Sequence, residues 1–197
     1  MQQEVSRRSN RERSDTTRAA ILDAARGLFV SRGYADTSTP DIVSAAGLTR
    51  GALYHHFEDK KALFRAVAER EAGAVAATIE RETANDLTPR EALKVGARAY
   101  FDAMGEPGRI RLLLLDGPAV LGKKEMMAID AAHAQRTLEE GIAEAMAPAA
   151  PDAATLSAMA SLLSAAFDRA ALDIADGAPS EIYVETIGTL IDRMVSA

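Results

Sequence analysis

Apolar residues recur at spacings of three and four along most of the chain, and nowhere do they alternate as a strand requires. Residues 1–13 are the exception. They have no apolar period, they contain Arg7, Arg8, Arg11 and Arg13, and they read as a flexible basic arm. Ser14 or Asp15 is then expected to cap a first helix, in which Ile21, Leu22, Ala25, Leu28 and Phe29 share a face until Gly33 ends it. Thr39 followed by Pro40 predicts the N-cap and first residue of a second helix with Ile42, Val43 and Ala46 on its apolar side. Gly47 supplies the left-handed residue that stops it, and Leu48 should be buried in the turn. Thr49 caps a short third helix with Leu53 and Phe57 inward, and Asp59 caps a fourth running from Lys60 through Leu63, Phe64, Val67, Val75 and Ile79 to about Thr83.

Beyond a break at residues 85–89, Thr88 and Pro89 restart the pattern for a helix to about Met104. A short apolar helix from Arg109 to Leu115 should stop at Asp116, Gly117 and Pro118. One longer helix from about Lys123 to Met146 and two final ones, near 153–176 and 180–196, complete the chain. The expectation is an all-α protein with three parts: the arm 1–13, a three-helix helix-turn-helix domain 14–65, and a helical domain 66–197.

The length of 197 residues and the 48% hydrophobic content suffice for a real core. No cysteine is present, so disulfides, thiolate metal sites and a cysteine nucleophile are excluded. That composition suits a reducing cytoplasm. The arginine-rich N-terminus has no apolar h-region, so no secretory signal is expected, and no apolar run approaches a membrane span. The net charge of −6 is unevenly spread: residues 1–65 hold eleven Lys and Arg against eight Asp and Glu, and the remainder twelve against twenty-one. A mildly basic head on an acidic body suits a small DNA reader joined to a larger domain with another task.

The segment 46–64, AGLTRGALYHHFEDKKALF, carries the candidate chemistry. Gly51 sits in the first turn of a helix, where glycine costs about 1 kcal/mol against alanine, and close approach of a DNA edge would justify it. Arg50 at the helix entry can reach guanine O6 and N7, and Ala52 is short enough to touch a thymine methyl. Tyr54 and His55 can donate to phosphate oxygens, Lys60 stands at a helix N-terminus that favours phosphate, and Thr39 and Thr49 offer hydroxyls and amides. Tyr54 and His56 could equally be packing residues, and the adjacent His55 and His56 point apart, a poor chelate.

On these residues the stretch from about Thr16 to Val67 resembles the DNA-binding domain of the tetracycline-repressor (TetR) family. The matching positions are Ile21, Ala24, Ala25, Phe29, Gly33, Thr39, Ile42, Ala46, Gly47, Gly51, Leu53, Tyr54, Phe57, Lys60 and Leu63. The resemblance implies a homodimeric repressor on a pseudo-palindromic double-stranded operator, with DNA contacts at Thr39, Thr49, Arg50, Gly51, Ala52, Tyr54, His55 and Lys60. It also implies a C-terminal domain that binds a small-molecule effector, and a dimer interface formed by the last two helices.

The effector would be apolar or amphipathic and would release the operator. Its expected pocket is lined by Tyr100, Phe101, Met104, Leu112, Leu115, Met126, Met127, Ile129 and Phe167, with Asp116 and His133 as the polar groups. Each of these could instead be core, and Asp116 could cap a helix beginning at Pro118. The last two helices carry wide apolar stripes, Leu156 to Ala170 and Val184 to Met194, that a second subunit would cover. An enzyme is not expected: no Gly-rich phosphate loop or H-E-x-x-H pair occurs, and neither a cofactor nor a metal is implied. A structural DNA binder without a ligand would not need the long acidic body.

Overall fold

The computed structural model describes the backbone of residues 2–84 and 86–196, and the side chains of residues 11–84, 86–133 and 135–196. Among these residues every regular element is helical. They form two compact units, Met1–Glu69 and Arg70–Ala197. The division falls four residues beyond the expected 65/66 boundary, inside one helix.

In the first unit α1 spans Gln2–Arg32. The segment expected as a flexible arm is therefore helical from residue 2, and no cap interrupts it at Ser14 or Asp15. The reason is compositional: residues 2–13 contain neither Gly nor Pro, and Gln, Glu and Arg are good helix formers. The side chains of Arg7 and Arg8 lie outside the described residues. α2 (Thr39–Ala45) begins one residue earlier than expected. Ser38, not Thr39, is the N-cap: it accepts from the Asp41 amide, and the Asp41 carboxylate accepts from the Ser38 amide in return. Gly47 (φ 64°) turns the chain into α3, Arg50–His56, whose N-cap Thr49 accepts from the Ala52 amide at 3.2 Å. α4 spans Lys60–Thr83.

The four helices of this unit meet on Ile21, Phe29, Ile42, Leu53, Leu63 and Phe64, all essentially inaccessible to water. Phe29 and Phe64 meet edge to face at 5.2 Å, and Tyr34 closes on both. Leu48, expected to be buried, is only half-buried.

In the second unit, α5 (Pro89–Met104) starts at the capping box of Thr88 and Glu91. The expected stop at Asp116–Pro118 does not occur. A π-helical turn, Arg111–Asp116, runs straight into α6, Gly117–Leu121. A Cβ on Gly117 would stand 2.8 Å from the Leu112 carbonyl oxygen and 2.9 Å from Met126 Sδ, so only glycine lets the widened turn and Met126 close together there. The single helix expected from Lys123 to Met146 is two, α7 (Lys123–Ala132) and α8 (Ala134–Ala145). They are broken at His133, whose backbone is not helical (φ −124°, ψ −95°). α9 (Ala153–Ala175) and α10 (Ser180–Val195) lie close to their expected ranges. A buried ion pair, Arg109 Nε to Glu71 Oε2 at 3.0 Å, ties the turn after α5 to α4 within this unit.

Candidate nucleic-acid interface and candidate effector cavity

Helix α3 divides cleanly by exposure. Leu53 and Phe57 are buried, while Arg50, Gly51, Tyr54 and His55 are exposed and Ala52 is partly so. The outward face thus carries donors and small residues. The Arg50 guanidinium lies 5.4 Å from the centre of the Tyr54 ring. Hydrogen bonds from Thr39 first, and then Arg50, hold the Tyr54 phenol below its ordinary pKa. Thr39 therefore stands beside Arg50 and Tyr54 on this face, although it does not cap α2. At Gly51 an added Cβ would find only Thr49 Oγ1, at 3.9 Å. Nothing within the chain requires glycine at this point of the helix.

Two expectations change on this face. The Lys60 ammonium is occupied: Nζ donates to the carbonyls of Tyr34 (2.8 Å) and Thr37 (2.9 Å) and sits 4.1 Å from the Tyr34 ring centre. It clamps the turn between α1 and α2 instead of projecting outward. His56 is half-buried, and desolvation, followed by the neighbouring charges of His55 and Arg18, lowers its pKa. The packing alternative holds for His56.

In the second unit the expected effector residues separate into three places. Tyr100, Met104, Met126, Met127, Ile129 and His133 line one cavity of about 290 Å³. Tyr100 and Phe167, stacked with centroids 5.6 Å apart, line a neighbouring space of about 120 Å³. Phe101 and Leu115 line a third space, of about 450 Å³, instead, with Leu115 54% exposed. Leu112 is wholly buried core and lines none of these. Asp116 lines none of these three spaces and does not cap α6 through its side chain; its carboxylate accepts from Arg111 Nε at 3.2 Å. The π-helical turn places Asp116, five residues on, beside Arg111.

Sequence reasoning missed the cavity's principal polar groups, Asp130 on α7 and Asp168 on α9. Asp168 accepts from the Tyr100 hydroxyl at 2.6 Å, and Asp130 from the Ser164 hydroxyl at 3.4 Å. Burial raises the pKa of both, that of Asp168 to about 6. It also raises the Tyr100 phenol well above its ordinary value, with the Asp168 charge adding to the effect. The signal was present: each is a carboxylate set directly against an apolar face, Asp130 after Ile129 and Asp168 after Phe167.

The comparisons with known proteins fall on these same two parts. Residues 21–67 match the model of bacterial regulatory proteins of the tetR family, and residues 90–197 match the tetracyclin repressor-like C-terminal domain. The chain belongs to the TetR family. That family is one of DNA-binding transcriptional regulators of the helix-turn-helix type, not of enzymes.

Among curated relatives, the HTH-type transcriptional regulator AcrR of Shigella flexneri is 45% identical over 62 residues, 32% of this chain and 29% of its own. The HTH-type transcriptional activator FasR of Mycolicibacterium smegmatis is 32% identical over 96 residues, 49% of this chain and 44% of its own. The chain thus spans less than half the length of these relatives. A TetR-family regulator from Pectobacterium atrosepticum is similar throughout. Its crystal structure is 33% identical, with a TM-score of 0.67 over 93% of this chain and 94% of that one. The regulator LfrR of Mycobacterium smegmatis, in complex with proflavine, shares the fold at 24% identity. Its TM-score is 0.62, over 90% of this chain and 95% of that one.

No helix among the described residues is long and apolar enough to cross a membrane.

Proposed function

We propose that this TetR-family regulator is a homodimeric repressor acting in the cytoplasm. It binds a pseudo-palindromic operator through α3 and leaves it when a small apolar or amphipathic molecule enters the second unit. The observation that carries the DNA half is the exposed face of α3. Arg50, Gly51, Tyr54 and His55 face outward, while Leu53 and Phe57 anchor the opposite side. Arg50 reads a base edge; Tyr54, His55, Thr39 and Thr49 meet phosphates; Ala52 and Gly51 permit close approach. Lys60 supports this face from behind.

The dimer half rests on large apolar residues left exposed on the last two helices: Leu162 (74%), Ile182 (60%) and Leu190 (48%). A two-fold pairing of α9 and α10 would cover them and set two copies of α3 about 34 Å apart, or near a multiple of that, on one face of the duplex. The effector half rests on the cavity around Tyr100, Met104, Met126 and His133. The proflavine complex of LfrR supports it, as a ligand held by a protein of the same fold.

The test is selection of bound sequences from a random duplex library, with sedimentation of the free protein and of its complex. Recovered inverted repeats and a dimer at micromolar concentration are the expected results. A monomer without preference for inverted repeats would remove the reading. A promoter–reporter assay with the recovered operator separates repression from activation, the role named for FasR.

A further inference from the structure

The cavity in the second unit combines an apolar wall with two carboxylates that lack a cation. Asp168 on α9 is met by the Tyr100 hydroxyl, and Asp130 on α7 by the Ser164 hydroxyl; both partners are neutral donors. Among the described residues neither carboxylate forms an ion pair with Lys or Arg. Other acidic groups of the unit do: Glu71 is held by Arg109, Asp192 by Arg90 and Lys94, and Asp173 by Arg169. Lys123 borders the cavity, but its side chain is exposed and it is paired with neither carboxylate. His133 faces Asp130 and eases its ionisation, without offsetting the penalty of burial.

Withdrawing a carboxylate from water without a counter-ion is costly. Here two such groups border the same cavity, and Asp130 raises the cost of ionising Asp168 further. An incoming cation would relieve both at once. The facing wall, Met104, Leu113, Met126 and Leu172, offers polarizable and aliphatic surface that suits a hydrocarbon body of variable shape. The cavity of about 290 Å³ shares Tyr100 and Asp130 with the neighbouring space of about 120 Å³, so Asp130 stands where the two meet, while Asp168 lines the larger one alone.

We propose that the effector is a cationic amphipath, its positively charged head held between Asp168 and Asp130 and its apolar body laid against Met104, Leu113 and Met126. This rests on the reading of the cavity as the effector site. The same arrangement disfavours carboxylate ligands, whose charge would meet two like charges at short range.

Three probes with one tail and different heads decide it: octyltrimethylammonium, 1-octanol and octanoate. Each is titrated below its micellar concentration into the full-length protein by calorimetry at pH 7.5. The cation should bind at least tenfold tighter than the alcohol, and octanoate should be weakest. Asp168→Asn and Asp130→Asn should each cut the ratio of cation to alcohol affinity at least fivefold, and Asp168→Glu should restore most of it. Equal affinities for the three heads, tighter binding of octanoate, or an unchanged ratio in both Asn variants would overturn the cation assignment.

Met126→Trp separates the two layers of the argument. If the probes bind without charge preference and Met126→Trp blocks them, the cavity stands and only the cationic class is lost. If none of the three binds, or Met126→Trp leaves their binding unaltered, both the class and the cavity reading fall.

Discussion

Lys60 reaches the main chain at Tyr34: its Nζ donates to the Tyr34 carbonyl at 2.8 Å and lies 4.1 Å from the centre of the same residue's ring. A second bond to the Thr37 carbonyl fixes the chain just before Ser38 caps α2. Charge-assisted bonds of this kind outweigh surface ion pairs, and Lys60 is half-buried. A lysine at a helix N-terminus thus serves the turn between α1 and α2.

Replacing that ammonium should therefore cost stability before it costs phosphate binding. Lys60→Met is expected to destabilise the head by about 1–3 kcal/mol, from two lost charge-assisted bonds and the ring contact. Operator affinity should fall, while the slope of log affinity against log salt stays the same, because no phosphate partner is lost. A slope shallower by about 1, with the melting temperature unchanged, would return Lys60 to the phosphates.

Gly51 gives a prediction of opposite sign for stability. A Cβ there meets nothing closer than 3.9 Å, and α3 is short. Gly51→Ala should stabilise the free protein by up to about 1 kcal/mol through helix propensity. The same methyl should weaken operator binding if the DNA edge approaches this turn. Paired melting and operator-binding curves check it, and a variant that is more stable and binds the operator equally well would remove the close approach.

Arg50→Ala is expected to relax sequence choice rather than weaken all sequences alike, at a cost of about 1–3 kcal/mol at one base pair. Its guanidinium is exposed and is held over the Tyr54 ring, 5.4 Å from the centre. Repeating the library selection with the variant reads this directly: one position of each half-site should lose its preference. An unaltered consensus would show that Arg50 contacts only the backbone.

The residues that make the helix-turn-helix visible are those whose type answers a local need. Gly47 at φ 64°, Thr49 capping α3, and Thr88 with Pro89 and Glu91 opening α5 are all legible from neighbours in sequence. The failures come from contacts far apart in the chain. Nothing in the run Ala131, Ala132, His133, Ala134 marks a helix break, and the His133 ring there lies 3.6 Å from where a Cβ on Gly73 would stand, a neighbour sixty residues away in the chain. Gly117 and Pro118 read as a stop, yet the π-helical turn carries the chain through them. Lys60 was legible as a helix start but not as a clamp, since Tyr34 and Thr37 lie more than twenty residues earlier. The cavity's carboxylates were hidden because the pattern of apolar residues draws attention to the wall and not to the acids beside it.

Asp168 makes stability depend on pH. Burial lifts its folded-state pKa to about 6, above the ordinary 3.8. The groups facing it are Tyr100, whose hydroxyl bond acts the other way, and Asp130, whose charge adds to the rise. A raised carboxylate favours folding below pH 3.8, and that contribution is lost as pH rises through about 6. Above pH 6 the ionised group is therefore a burden of roughly 1–3 kcal/mol, discounted for its partial exposure. Asp168→Asn keeps an acceptor for Tyr100 and removes the charge. Its melting temperature should exceed that of the parent at pH 8, with the gap closing towards pH 4. A gap independent of pH would show that ionisation of Asp168 is not its source.

The switch can be blocked by filling the cavity. Met126 lines it, and its sulfur packs where a Cβ on Gly117 would be, so a larger side chain at 126 must occupy the cavity itself. Leu115 is 54% exposed and lines a different space, so Leu115→Trp should leave the response intact. α4 carries Lys60 in the first unit and Val75, a cavity residue, in the second, which makes it the covalent path for coupling. A ligand shifts operator affinity only if it prefers the non-binding geometry, and a coupling of about 1–3 kcal/mol is typical. The measurement is release of a labelled operator as octyltrimethylammonium is added to the parent protein, Met126→Trp and Leu115→Trp. Release from the parent and Leu115→Trp but not from Met126→Trp, with all three binding the operator equally in its absence, is the expected pattern. Release from Met126→Trp at the parental concentration would move the effector site out of this cavity while leaving the role of α3 untouched.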